Sequence, residues 1–79
     1  MYTEHQRRFH RRIKTIITKD GDTITALAKR AGWGRSALDS AIYCFPGKPA
    51  TRARLADAVG IPVAHLLRIY AECTPESQS

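Results

Sequence analysis

Apolar residues return along the first part of the chain with the period of a helix. Phe9, Ile13, Ile16 and Ile17 fall on one stripe, and the arginines lie mostly opposite. Thr3 followed by Gln6 has the form of a capping box, in which hydroxyl and amide satisfy backbone donors at a helix start. Asp20-Gly21-Asp22 favours a turn and ends this helix. A second helix is predicted after Asp22 or Thr23, either of which can cap it, with Leu27, Ala28 and Ala31 inward. Gly32 stops it, because glycine readily takes the left-handed conformation at a helix C-terminus. Arg35 to Tyr43 reads as a third helix, which Phe45-Pro46-Gly47-Lys48-Pro49 cannot continue. Thr51 is expected to cap a fourth, short helix with Leu55, Ala58 and Val59 inside and Gly60 closing it. Pro62 suits the first turn of a fifth, where Val63, Leu66, Leu67 and Tyr70 share a face. Ile69 falls off that stripe, as an ordinary exposed isoleucine or a contact with a second copy. No segment alternates with period two. The expectation is an all-α, compact bundle of about five short helices. It forms one domain over residues 1–73 with a flexible tail over 74–79.

The segment Ile24 to Tyr43, ITALAKRAGWGRSALDSAIY, carries the functional signal. A small residue is needed where two helices cross closely, and Ala28 supplies it. Gly32 follows where the chain must turn sharply, and Leu38 is placed to lock the next helix against the last. This order of small, glycine and aliphatic residues is that of a helix-turn-helix. On a wheel of the third helix, Arg35, Ser36, Asp39, Ser40 and Tyr43 fall within an arc of about 140°. Ala37, Leu38, Ala41, Ile42 and Phe45 take the rest. An outward face of this kind suits a major groove. Arginine can bond guanine bidentately, aspartate can accept from cytosine, and serine can reach either kind of edge.

Charge sharpens this picture. The 79 residues carry a formal net charge of +6. Arg7, Arg8, Arg11, Arg12, Lys14 and Lys19 crowd the N-terminal quarter against Glu4 alone. Nucleic acid, an anionic membrane or an acidic protein would each fit such a chain. Membrane binding through the first helix is disfavoured, since its apolar stripe is needed for the core. No apolar run is long enough to cross a bilayer, and no apolar signal segment follows Met1-Tyr2-Thr3-Glu4, so a cytoplasmic protein is expected. Cys44 and Cys73 are expected as free, buried thiols. His5, His10 and His65 make no metal spacing with them, and no cofactor is implied. There is no nucleophile beside a base and no phosphate-cradling glycine loop, which argues against an enzyme.

The run Gly32-Trp33-Gly34-Arg35-Ser36-Ala37-Leu38-Asp39-Ser40-Ala41-Ile42 resembles the turn and recognition helix of the lambda-repressor-like family, of Cro and repressor type. The wider pattern, from His10-Arg11 through Leu27, Gly32, Leu38, Phe45-Pro46, Leu55-Ala56 and Ala58, is similar to the Ner-like regulators of transposable phages. The resemblance covers roughly residues 9 to 70. It implies that the second and third helices form the helix-turn-helix, and that Arg35, Ser36, Asp39 and Ser40 touch bases. Where the family often starts its second helix with a phosphate-anchoring glutamine, this chain has Ile24, which leaves that task to Thr23 or Thr25. The loop Pro46-Gly47-Lys48-Pro49-Ala50 is longer than the Ner-like one.

Further backbone contacts are expected from Tyr43, which points outward, and from Lys48 and Arg52 at the start of the fourth helix. Arg11 is the candidate within the N-terminal cluster. Each has a plainer reading. A charged stripe is often a solvated face, and Asp39 could simply orient Arg35 one turn away. Trp33 in the turn is expected to pack on the core rather than to stack on a ligand. The expected function is a sequence-specific regulator, of phage or bacterial repressor type, bound to double-stranded DNA. A homodimer, including one formed only on DNA, stays open. The alternative is a protein-interaction module, such as an antitoxin or anti-repressor.

Overall fold

In the computed structural model, which describes residues 2–74, the helical periods of the sequence become five α-helices. They are α1 (Glu4–Lys19), α2 (Ile24–Ala31), α3 (Arg35–Tyr43), α4 (Pro49–Val59) and α5 (Val63–Glu72). There is no strand among the described residues. Thr74 ends that range, so the rest of the tail expected over 74–79 lies outside it.

Each junction follows from local chemistry. The capping box forms: the Gln6 N–H donates to Thr3 Oγ1 (3.1 Å) and the Thr3 N–H to Gln6 Oε1 (2.7 Å). Thr23, not Asp22, caps α2, its Oγ1 accepting the Ala26 N–H at 3.0 Å. Asp22 instead accepts the Thr23 N–H (3.0 Å) and pairs with Arg30. At the end of α2, Gly32 sits at φ 74°, and the Trp33 N–H closes back on the Ala28 carbonyl at 2.8 Å. An L side chain would be strained there.

The core is drawn from every helix. Phe9, Ile13 and Ile17 of α1 meet Ile24, Leu27 and Ala28 of α2, Leu38 and Ile42 of α3, Leu55 and Ala56 of α4, and Leu66 and Ile69 of α5. No polar or charged residue is buried among the described residues. α3 packs against α1, α2 and α4, and α5 closes the bundle over α1 and α4. Although α3 ends at Tyr43, Phe45 is buried and stacks on Phe9, with ring centroids 4.7 Å apart.

Several expectations need correction. α4 starts at Pro49 with Lys48 as its N-cap, three residues before the predicted Thr51 cap. Proline at the first helical position has its φ already set and gives up a donor that would find no partner there. Inside α4 the buried pair is Leu55 and Ala56, while Ala58 and Val59 are half-buried. Pro62 stands just outside α5 as its N-cap, not in its first turn. The α5 stripe is also rotated from the expected one: Ile69 is 3% exposed and Leu67 is 41% exposed. Tyr70, half-buried, lies edge-on to Phe9 at 5.3 Å and tilted against Phe45 at 5.5 Å, which fixes the roll of the helix. Residues two apart lie about 200° apart on a helix, so burying Ile69 turns Leu67 out. Ile69 is therefore core and no exposed contact. By the same geometry Cys44, two residues past buried Ile42, is exposed, and only Cys73 of the two free thiols is buried. Ala37, expected inward, is exposed, and Ala41 is half-buried.

Candidate nucleic-acid interface

The α2–α3 pair is mounted on the core by α2's Leu27 and Ala28 and α3's Leu38 and Ile42. Between the helices, Gly32 turns the chain and Trp33 packs partly against the core. The Arg54 guanidinium lies over the indole, 4.5 Å from the ring centroid. Trp33 Nε1 is buried without a hydrogen-bond partner. Gly34, in extended conformation, precedes α3 and offers no side-chain cap, so α3 begins with uncapped backbone donors amid exposed residues. A helix start of this kind favours an anion through its free N–H groups and dipole.

Arg35, Ser36 and Ser40 are exposed on α3, as predicted for base-contacting groups. Asp39 is half-buried and not directed to Arg35. Its Oδ1 lies 2.5 Å from His10 Nε2 on α1. Tyr43 is half-buried as well, stacked on His10 at 3.9 Å and on Tyr2 at 4.1 Å. The structure thus joins two of the predicted contact residues through a histidine that sequence reasoning passed over. No sequence signal marks this pair: the partners are 29 residues apart and belong to different helices.

The predicted backbone-contact residues lie on other segments. Thr23 and Thr25 are exposed at the start of α2, with the Thr23 hydroxyl oxygen engaged by the Ala26 N–H. Lys48 is exposed at the N-cap of α4, which has no side-chain cap either. Arg52 is half-buried and donates from Nη1 to the Gly47 carbonyl at 2.9 Å, bracing the loop that presents Lys48. Arg11 is exposed on α1.

Charge on α1 is partly compensated. Glu4 holds Arg8 and Arg7, each at 3.0 Å, and these hydrogen bonds lower the Glu4 pKa, Arg8 first. Arg11, Arg12, Lys14 and Lys19 make no ion pair among the described residues. On α2 the Arg30 guanidinium, then the Thr23 N–H, hold the Asp22 carboxyl below the usual carboxylate range. This leaves excess positive charge on α1 beside an α3 that carries exposed hydrogen-bonding groups.

No family model, curated protein or solved structure matches this chain.

Proposed function

We propose that the chain is a sequence-specific, double-stranded-DNA-binding transcription regulator that sets the N-terminal half of α3 in the major groove. One observation carries this reading. Arg35, Ser36 and Ser40 are exposed on a short helix whose start is uncapped and whose other face is locked into the core beside α2. Base edges need donors and acceptors on a rigid element, and these residues supply them. Lys48 and the uncapped start of α4, with Arg52 bracing the loop behind them, suit a phosphate, as do Thr23, Thr25 and Arg11. The net charge of +6 supplies the sequence-independent attraction. Occupying a promoter in this way makes a repressor the simplest regulator.

The test is selection from a pool of random duplexes at stepped salt, followed by sequencing of the bound fraction. An enriched motif is expected, and its symmetry would report whether one copy or two occupy the site. Binding without any enriched motif, together with a co-purifying protein partner, would replace this reading with that of a protein-interaction module.

A further inference from the structure

His10 occupies an unusual place for a residue on a basic helix. Its side chain is 12% exposed, and its Nε2 reaches Asp39 Oδ1, whose side chain is 35% exposed. Against an ionised Asp39, which can only accept hydrogen bonds, Nε2 would be the donor and Nδ1 would be left to take up a second proton. Tyr43 lies nearly parallel to the imidazole, with an interplanar angle of 6°. Tyr2 lies parallel to Tyr43 at 1°. Two rings each stacked about 4 Å from Tyr43 cannot share one face of it, so the three form a column, Tyr2–Tyr43–His10, that ends on Asp39.

We propose that His10 is a positioning residue for the α3 face. It draws the Asp39 carboxylate towards α1, and by taking up a proton it cancels that negative charge when DNA binds. This rests on the reading of α3 as the DNA-facing helix. With a neutral imidazole the pair has net charge −1 beside Ser36 and Ser40. With an imidazolium it has none. A polyanion prefers the second state, so DNA binding and protonation at His10 favour each other by linkage. An imidazolium is also attracted to the face of the tyrosine ring beneath it.

The surrounding charges are few. On α1, Arg7 and Lys14 stand one turn to either side of His10, Arg7 already held by Glu4. On α3, Arg35 stands one turn before Asp39. The N-terminal segment contributes Tyr2. α5 meets the other edge of α1, where the Tyr70 carbonyl bonds His5 at 2.6 Å and Glu72 lines a hollow with Arg8, Arg11 and Arg12. Asp39 is thus the carboxylate in contact with His10.

The experiment uses the full chain and a fluorescein-labelled pool of random duplexes, with affinity read by anisotropy from pH 5.5 to 8.5 at constant ionic strength. Affinity is expected to fall as pH rises, by up to about tenfold per pH unit where one proton is linked. His10→Gln, whose amide can still donate to Asp39, is expected to flatten the profile. Asp39→Asn is expected to bind more tightly than the parent at the high-pH end. NMR titration of the parent's imidazoles, free and DNA-bound, gives a second readout that needs no variant. His10 should titrate at higher pH in the complex, by more than His5 and His65. A parental slope in a folded His10→Gln, or an unmoved His10 titration, would overturn the proposal while leaving DNA binding intact. No binding to any duplex at any pH would overturn the DNA-binding reading itself, and this proposal with it.

Discussion

At the scale of single residues, two positions on α3 separate folding from the proposed recognition. Leu38 is fully buried beneath α3, where truncation leaves a cavity that close-packed neighbours cannot fill. Leu38→Ala should cost about 2–5 kcal/mol in urea denaturation. Arg35 is exposed and has no salt-bridge partner among the described residues. Arg35→Ala should leave the urea midpoint nearly unchanged and relax preference at one base position by about 1–3 kcal/mol, read by competition with single-base variants of the selected duplex. Unaltered base preference would remove Arg35 from the reading set. On the buried face of α3, Leu38 and Ile42 were legible in the sequence because they follow the helical period, whereas Ala37, expected inward beside them, is exposed. On α5 two stripes fit that period equally well. The choice between Leu67 and Ile69 was made by Tyr70 meeting Phe9 and Phe45, aromatic contacts that no local pattern encodes. His10 and Asp39 were illegible for the same reason in a stronger form, since their meeting depends on how α1 crosses α3.

At the scale of the element, helix starts divide into two kinds. α1 and α2 are closed by their own side chains, Thr3 with Gln6 and Thr23. α3, α4 and α5 have no side-chain cap, and the first two of these, together with the exposed threonines at the start of α2, are the starts read as meeting DNA. The sequence showed the first kind through its Thr-containing signals, and it misplaced the start of α4 because Pro49 looked like the end of a break rather than a beginning. The start of α2 has a consequence for acid stability. Arg30 and the Thr23 N–H hold the Asp22 carboxyl below its ordinary range. A folded-state pKa below the unfolded one supports the fold above the ordinary carboxylate range, and that support is lost as pH falls through the lowered value. The thermal midpoint, followed by circular dichroism, should therefore drop on acidification, and Asp22→Asn should drop less steeply. Glu4, lowered by Arg8 and Arg7, contributes a decline of the same sign that Asp22→Asn retains. Equal slopes in parent and variant would show that the Asp22–Arg30 pair contributes nothing to the helix start.

For the whole molecule, the order of five helices was legible because the breaks fall at residues that interrupt a helix: Gly21, Gly32, Gly60 and the prolines Pro46 and Pro62. The surface was less so, because net charge gives no direction. The structure shows which charges on α1 are paired within the chain: Arg7 and Arg8 are occupied by Glu4, while Arg11, Arg12, Lys14 and Lys19 make no ion pair among the described residues. If about five phosphates are neutralised per bound chain, log K should fall against log salt with a slope of about −4.5. Titrating salt against a single selected duplex measures it, and a slope near zero would mean that the positive charge serves another partner.

Trp33 is the only tryptophan in the chain, and it stands at the bend between α2 and α3 with a guanidinium laid across it. The protein therefore carries its own optical gauge at the point where α3 is hung. Its fluorescence needs no label: unfolding would shift the emission to the red as the indole meets water, and a partner that displaces Arg54 would alter the intensity while the chain stays folded. One spectrum can thus distinguish a chain that has lost its shape from one that has found a partner.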